Sequence, residues 1–370
     1  LGPVSGSPPY LFPSPDGELN LTDLSAFGKM WIWYHHEYGT DSLRFYLSSN
    51  ISPHSDIKLS PNSLEPYKNF MNKIWNAGKF IALNDELDEK TKLSYDTFYD
   101  AWIIHKFNTL LEKYQNYLKN CEVEKASYEI YHFFWDDFCD WYIEIAKISY
   151  KKNPSNTPIN TKIRMKDLFM KFLNILYPFA PFISIELNKN LINRNEESKF
   201  NSLPDKVKTN YDGDFLNEIK IIKDFVVGIR SLRKNLSIKP GNKIVCYYNL
   251  SVDGQSFIDL NKNIIEELCN LELFNNISES NEKGSLISNH TNSGTISIEI
   301  DDDIDFSAQI SKLSKDLKSL KKIAHLSESK LNNKGFLNAA PDDVIKEEKN
   351  KLKDTSDSIR EIESLILQLK

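Results

Sequence analysis

Residues 306–370, FSAQISKLSKDLKSLKKIAHLSESKLNNKGFLNAAPDDVIKEEKNKLKDTSDSIREIESLILQLK, contain two apolar series with the three-and-four spacing of a coiled coil. The first series is Ile310, Leu313, Leu317, Leu320, Ala324 and Leu331, and the second is Leu352, Ile359, Ile362, Ile366 and Leu369. Gly335 and Pro341 lie between them, where neither helix is expected to continue. We therefore predict an antiparallel coiled-coil hairpin that projects as an arm, because each stripe is wide enough only to cover the other helix.

The charge of this arm differs in sign from that of the whole chain. Residues 306–370 contain 13 Lys or Arg against 10 Asp or Glu, whereas the formal net charge of the chain is -6. A polyanionic partner would be attracted to such a segment. A dimerising or scaffolding coiled coil with solvated charges is the alternative that the segment leaves open.

The composition is that of a folded protein with two or three domains. The chain has 370 residues, of which 40% are hydrophobic and 12% aromatic. It contains no run of about 18 apolar residues and no signal-peptide pattern, so neither a membrane span nor secretion is indicated. A cytoplasmic location is expected, with an organelle left open. The cysteines are too widely spaced for a zinc site and are expected to be reduced: Cys121, Cys139, Cys246 and Cys269.

Four regions follow from the patterns, and together they predict a mainly α-helical fold. Residues 1–37 are rich in proline and should be irregular, whereas residues 38–235 show helical periodicity and should form a bundle. Residues 236–305 alternate between polar and apolar side chains and predict a small mixed α/β module before the arm. The first predicted helix of the bundle begins near Asp41, and the other predicted helices cover 61–83, 98–118, 126–150, 165–179 and 215–232. Strands are predicted at 243–248 and 295–300, with a helix near 264–271.

No catalytic or metal-binding motif is present. Asp136, Asp140 and Glu144 recur every four residues and could share one helical face, but the aromatic residues between them favour a core helix whose acids pair with nearby lysines. The pair His35-His36 has no third ligand at metal spacing, and residues 301–305 lack the glycine of a calcium loop. No bound metal is therefore expected in this chain.

The helix predicted at 61–83 mixes cations, amides and aromatic rings. It is preceded by Lys58 and contains Lys68, Asn69, Asn72, Lys73, Trp75, Asn76, Lys79 and Phe80. Recognition of single-stranded RNA uses this mixture, because lysines bind phosphates, rings stack on bases and amides bind base edges. A core role for the rings with solvated lysines remains equally open on the pattern alone.

Several motifs resemble one family. YGTDSLRF at 38–45, DIKLS at 56–60 and NFMNKIWNAGKF at 69–80 are similar to YGTDALRF, DIxLS and NFxNKLWNAxRF at the start of the anticodon-binding domain of the valyl-tRNA synthetase family. FCDWYIE at 138–144 and LYPFAPF at 176–182 are further matches.

The resemblance extends into the arm. LNNKGFLNAAP at 331–341 is similar to the family's LxNexFvxxAP between its two C-terminal helices, so the likeness covers about residues 38–370. It implies a class I synthetase anticodon-binding bundle that binds the anticodon end of tRNA(Val), and an arm that contacts the outer corner of the tRNA.

The resemblance also implies roles for individual residues. Phe80 takes the aromatic position that stacks on an anticodon base, Lys58 takes a basic position facing the loop, and Ile143 is expected to line the same pocket. Lys73, Asn76 and Lys79 complete the predicted anticodon set, but they come from the mixture of side chains on the helix at 61–83 and not from the resemblance. The arm lysines that could contact the tRNA backbone are chosen by their charge and not by a family motif: Lys312, Lys315, Lys318, Lys321, Lys322 and Lys330.

The chain departs from the family pattern before residue 38. The KMSKS loop, the HIGH motif, the nucleotide-binding fold and the editing domain do not occur, so this segment alone is not expected to activate valine. ATP and Mg²⁺ would belong to the full enzyme, whose catalytic part is either in cis or missing. A monomer is expected.

Two alternative functions remain open for this chain, a freestanding tRNA-binding module and a structural coiled-coil protein.

Overall fold

The structure is a computed structural model, and it is mainly α-helical with one small sheet, as predicted. The chain forms two compact units, residues 1–215 and 216–370. The residues that the structure describes are 36–51, 60–83, 95–152, 157–191, 200, 202–279, 285–300, 306–333, 335–336 and 340–369. The predicted irregular segment 1–37, except its last two residues, lies outside them, as do residues 301–305.

The first unit is a bundle of helices. These are α1 (Thr40–Ser49), α2 (Pro61–Leu83), α3 (Phe98–Lys119), α4 (Val123–His132), a π-helical segment (Phe133–Ile143), α5 (Glu144–Lys152), α6 (Thr157–Leu176) and α7 (Pro181–Leu191). The helices predicted at 61–83 and 98–118 are confirmed almost to the residue. Helix α7 was not predicted, because its apolar residues follow the turn at Pro178 too closely to show a period of their own.

Stacked phenylalanines fill the core of this unit. Phe134 lies at the centre, with its ring centroid 4.4 Å from that of Phe172, 5.4 Å from that of Phe138 and 5.9 Å from that of Phe169. All four side chains are at most 1% exposed. Tilted and offset contacts between such rings stabilise a core beyond the area that they bury.

The π-helical segment interrupts what the sequence predicted as one helix over 126–150. Its backbone is wound more widely than an α-helix, since each N–H bonds to the fifth preceding carbonyl. Phe134, Phe138 and Tyr142, four residues apart, therefore stay on one face and are all buried. The wider turn changes which residues of α5 face the same way as those of α4.

A buried carboxylate joins α3 to the π-helical segment and α6. Asp100 accepts hydrogen bonds from Tyr142 Oη at 2.7 Å and from Thr161 Oγ1 at 3.1 Å. It also forms a capping box with Thr97, whose N–H donates to Asp100 Oδ2 at 3.0 Å. Burial raises the pKa of Asp100. The carboxylate keeps its place because its lone pairs have partners inside the core.

The second unit is built on a four-stranded mixed sheet. Helix α8 (Phe215–Asn235) precedes β1 (Ile244–Leu250), α9 (Gln255–Cys269), β2 (Leu271–Asn276), β3 (Ser285–His290) and β4 (Gly294–Ile300). The strand order is β2-β1-β4-β3, in which β1 is parallel to β2 and antiparallel to β4. The predicted strands at 243–248 and 295–300 are confirmed as β1 and β4. Strands β2 and β3 were missed, and β2 begins at Leu271, the last residue of the predicted helix near 264–271.

Helix α8 belongs to the sheet unit, whereas its periodicity had placed it in the bundle of residues 38–235. Phe225 packs against both Tyr248 and Phe274 of the sheet, with ring centroids 5.9 and 5.8 Å away. A Cβ at Gly228 would lie 2.6 Å from Ile296 Cδ1, so the helix approaches the sheet closely there. Periodicity identifies the buried face of a helix, but it does not identify the surface that covers that face.

Arg233 fixes the end of α8 through backbone carbonyls. The residue is 6% exposed, and its guanidinium donates to the carbonyls of Lys239, Asn242 and Cys269 at 2.8, 2.6 and 3.1 Å. It also reaches the carbonyls of Pro240 and Asn270. Because Cys269 ends α9, the positive charge lies at the negative end of that helix. The arginine thereby closes the loop that leads into β1.

The arm contains the two predicted helices, α10 (Ser307–Asn332) and α11 (Asp342–Gln368). Leu313, Ala324, Ile362 and Ile366 are buried in the seam between them, as the heptad pattern predicted. The last turn of α11 also meets the sheet: Gln368 accepts from the Ser288 N–H at 2.6 Å and donates to the Ser288 carbonyl at 2.9 Å. The side-chain amide thus pairs with β3 as another strand would.

We predict that Arg233→Met selectively destabilises the second unit. Five carbonyl groups lose a charged donor in a buried site, so the protection of the β1 amides should fall by about 3 kcal/mol in hydrogen exchange. The control is Arg230→Met, an exposed position one turn earlier, which should change protection by less than about 0.5 kcal/mol. Unchanged β1 protection in Arg233→Met would contradict the role of this network.

Asp41 makes the stability of the first unit depend on pH. Its buried carboxylate accepts hydrogen bonds from the N–H groups of Ile183, at 2.6 Å, and Phe182, at 3.3 Å, at the start of α7. Burial outweighs these bonds and raises the pKa of Asp41 from 3.8 to about 6. The folded unit therefore binds a proton more tightly than the unfolded chain does.

The free energy of unfolding should consequently decrease as pH rises from 4 through 6, by up to about 3 kcal/mol from this residue. Asp41→Asn cannot ionise and should lack this decrease. Urea unfolding followed by tryptophan fluorescence tests it, because the four Trp residues that the structure describes lie in the first unit: Trp75, Trp102, Trp135 and Trp141. Parallel pH profiles for the two proteins would contradict the prediction.

Candidate nucleic-acid interface

A pair of aromatic rings with lysines above them lies where α2, α5 and α6 meet. The rings of Phe80 and Tyr150 are stacked, with centroids 6.2 Å apart and planes 13° from parallel. Lys147 Nζ lies 5.3 Å from the Phe80 centroid, and Lys162 Nζ lies 5.4 Å from that of Tyr150. We call these four residues the aromatic–lysine cluster. None of its side chains is fully buried.

The electrostatics of the cluster favour an anionic ligand. Burial is the main cause that raises the pKa of Tyr150 above its ordinary value, so the phenol is neutral at physiological pH. Lys147 Nζ pairs with Glu144 at 2.6 Å, while the Glu144 side chain is 45% exposed. Such an exposed ion pair is weak and can exchange for a phosphate. The rings supply a stacking surface, and the ammonium groups supply contacts to phosphate oxygens.

Two residues predicted from the sequence lie beside the cluster. Asn76 is exposed and lies one turn before Phe80 on the same face of α2, and Lys79 is exposed next to it. Lys58 lies outside the described residues. Asn62, which stands where some family members carry a basic residue, is also exposed.

Lys73, by contrast, is held within the bundle. Its ammonium lies 2.6 Å from Asp140 Oδ1 and 3.8 Å from the centroid of the Trp135 ring. Two of the three acids pair with lysines, as the core-helix interpretation predicted: Asp140 with Lys73 and Glu144 with Lys147. Asp136 instead lies 2.6 Å from His132 Nδ1. Lys73 therefore stabilises the packing of α2 against the π-helical segment.

Ile143 does not lie at the surface. Its side chain is 5% exposed, because the π-helical segment turns this position towards the core. Lys147 and Tyr150, which do reach the cluster, follow Ile143 at spacings of four and seven residues. Counting four and seven residues along the helix from Ile143, the position matched to the family, would have identified Lys147 and Tyr150. No sequence pattern identifies Lys162.

The arm lysines are exposed. All six predicted positions on α10 are accessible: Lys312, Lys315, Lys318, Lys321, Lys322 and Lys330. Two of them pair across the seam, Lys321 with Glu363 at 2.6 Å and Lys330 with Glu348 at 3.4 Å. The other four, Lys312, Lys315, Lys318 and Lys322, project from the same helix, as expected for contacts to a polyanionic backbone.

A tyrosine-lined cleft of about 740 Å³ lies at the other end of α2 and shares no residue with the cluster. Its rings include Tyr46, Tyr67, Tyr117 and Tyr128. Among the described residues that line it, Lys125 is the one lysine, and it pairs with Glu122 at 2.6 Å. The charge at this cleft therefore favours an anion less than the charge at the cluster does.

Among the described residues, no group of three His, Cys, Asp or Glu could hold a metal. No helix in the described ranges is long and apolar enough to cross a membrane.

Two family models match the chain. Residues 100–248 match the anticodon-binding domain of tRNA ligase, and residues 305–370 match the valyl tRNA synthetase tRNA binding arm. The first match includes Lys147, Tyr150 and Lys162 but begins after Phe80. The second coincides with the predicted arm.

Several valine–tRNA ligases are similar over most of this chain. That of Aquifex aeolicus is 31% identical over 349 residues, covering 90% of this chain and 30% of the relative. That of Thermotoga maritima is 30% identical over 339 residues, covering 90% of this chain and 38% of the relative. The Bacillus subtilis protein is 27% identical, with 86% and 37% covered. The chain thus spans about a third of the length of these curated relatives.

We predict that Lys73 and Lys79 differ in their effect on stability. Lys73→Met removes a cation above Trp135 and should lower the free energy of unfolding by about 1 kcal/mol and shift tryptophan emission. Lys79→Met, on the exposed side of the same helix, should change it by less than about 0.5 kcal/mol. Thermal unfolding followed by fluorescence measures both. Equal effects would mean that the Lys73 contacts do not stabilise the bundle.

Proposed function

We propose that this chain, which corresponds in sequence to the C-terminal region of valyl-tRNA synthetases, binds the anticodon loop of tRNA(Val) at the aromatic–lysine cluster. The family models that match its two regions describe an anticodon-binding domain and a tRNA-binding arm, which supports this proposal. The arm lysines would contact the backbone of the same tRNA.

The stacked pair of Phe80 and Tyr150 beneath two ammonium groups is the observation that carries this proposal. Bases of an anticodon loop are unstacked and can lie on an aromatic ring, which contributes about 1–3 kcal/mol per base. The adjoining phosphates then meet Lys147, Lys162 and the exposed Lys79. Asn76, one turn before Phe80, has an amide that can bind a base edge.

The arm would supply affinity without sequence readout. Its lysines project from α10 over a length of about 27 Å, from Lys312 to Lys330, which is enough to follow several nucleotides. Contacts to phosphates position a nucleic acid and carry no information about its bases. Specificity for tRNA(Val) would therefore reside in the bundle.

We further propose that a catalytic part of the same protein uses the tRNA that this region binds. The matched relatives are about three times longer than their match to this chain. ATP and Mg²⁺ would act in that catalytic part, where valine is joined to tRNA. The residues described here would contribute affinity and specificity, and none of them would contact the reacting atoms.

The proposal predicts that Phe80→Ala weakens the binding of tRNA(Val) by about 1–3 kcal/mol and reduces the preference over a non-cognate tRNA. A fluorescence titration with both tRNAs at two salt concentrations measures this. The control is Tyr128→Ala, which removes a ring that is 61% exposed at the separate cleft. It should leave both affinities unchanged.

Melting temperatures show whether each variant folds. Equal affinity of wild type and Phe80→Ala for tRNA(Val) would remove Phe80 from the site. Binding of the wild type that shows no cognate preference and depends only on salt would leave the arm as the binding element and refute anticodon recognition at the cluster.

A further inference from the structure

Helix α8 carries a row of basic residues on the face opposite the sheet. Lys220, Lys223, Val227, Arg230 and Lys234 follow each other at spacings of three, four, three and four residues, so they lie on one side of the helix. We call them the α8 stripe. The other side of the helix, including Phe225, is buried against the sheet.

The stripe stands out from the charge of the surrounding unit. Residues 215–243 contain seven Lys or Arg against two Asp or Glu, whereas residues 244–305 contain two against twelve. The sheet module is therefore strongly acidic and would repel a polyanion. The basic surface of this unit is confined to α8 with its following loop and to the arm.

The side chains of the stripe are accessible. Lys220, Arg230 and Lys234 are exposed, and Val227 in the middle is 57% exposed. The guanidinium of Arg230 is oriented by a 3.1 Å hydrogen bond to the carbonyl of Leu268 at the end of α9. An arginine held in this way loses less conformational entropy when it binds a further anion.

The stripe is continuous with the foot of the arm. Ser231, between Arg230 and Lys234, donates a 2.5 Å hydrogen bond to Glu361 on α11. Asn289 of β3 donates to the same carboxylate at 3.0 Å, so this contact joins α8, the sheet and the arm. Arg360, the neighbour of Glu361, has a side chain that is 80% exposed. The α8 stripe and the foot of the arm therefore lie next to each other.

We propose that the α8 stripe binds the ribose–phosphate backbone of the tRNA whose body the arm contacts, an inference that rests on the proposed function. From Lys220 to Lys234 the stripe extends about 21 Å, which covers several phosphates. Lysine and arginine with a small apolar residue between them suit a sugar–phosphate chain, because the ammonium groups meet phosphates while the valine contacts ribose. The stripe reads no bases.

The test is a titration of the full chain with tRNA(Val) and a non-cognate tRNA between low and moderate salt. Lys220→Ala/Lys234→Ala should weaken binding of both tRNAs about tenfold at low salt, and should reduce the slope of log affinity against log salt by about 1.5. Val227→Glu keeps every cation, removes no core contact and places a carboxylate in the stripe, so it should also weaken both tRNAs.

The matched control is Lys119→Ala/Lys208→Ala, which removes the same charge from two exposed positions of the first unit. It should change affinity less than twofold and leave the salt slope in place. Equal losses in the two double variants would show a general charge effect and overturn the inference, as would wild-type affinity and slope in Lys220→Ala/Lys234→Ala.

Phe80→Ala in the same titration separates this inference from the proposed function. If Phe80→Ala loses cognate preference while the stripe variants bind like the wild type, anticodon binding stands and the α8 stripe is not an RNA surface. If the wild type binds no tRNA, both the proposed function and the inference are refuted. If the stripe variants lose tRNA binding while their melting temperatures equal that of the wild type, the α8 stripe is supported as an RNA surface.

Discussion

The aromatic–lysine cluster depends on the hydrogen bonds of Asp100 beneath it. The carboxylate holds Tyr142 at the end of the π-helical segment and Thr161 on α6, next to Lys162. Tyr99, its neighbour on α3, exchanges a 2.9 Å hydrogen bond with Ser149, which precedes Tyr150. Because a buried carboxylate without partners is costly, these bonds fix the elements that carry the cluster in one arrangement.

In the second unit, a buried arginine has the corresponding role of fixing neighbouring elements through hydrogen bonds. Arg233 is buried among carbonyl oxygens and closes the loop before β1, while Arg230, one turn earlier, points outwards as part of the α8 stripe. The same helix therefore uses one cation to stabilise the fold and others to build an exposed basic surface. The acidic sheet module restricts that basic surface to α8 and the arm, so a chain of net negative charge still presents a basic surface to solvent.

The sequence was most informative where one pattern was long and uninterrupted. The arm was predicted with its seam and its turn, because heptad spacing over two helices leaves few alternatives. Short elements were missed: α7 and strands β2 and β3 contain too few residues to show a period. In the candidate interface, Asn76 and Lys79 came from the mixture of side chains along one helix and the role of Phe80 from the resemblance. Lys147, Tyr150 and Lys162, by contrast, reach Phe80 from two other helices.

The sequence by itself determined the mainly helical character, the coiled-coil arm and the kinship with synthetase tRNA-binding domains, since these depend on local spacing and motifs. Only the tertiary structure decided that α8 packs on the sheet, that Lys73 is held by Asp140 and Trp135, and that Ile143 lies in the core. Spacing along a chain states which residues share a face. The contacts between elements distant in sequence decide whether that face is buried, paired or open to a ligand.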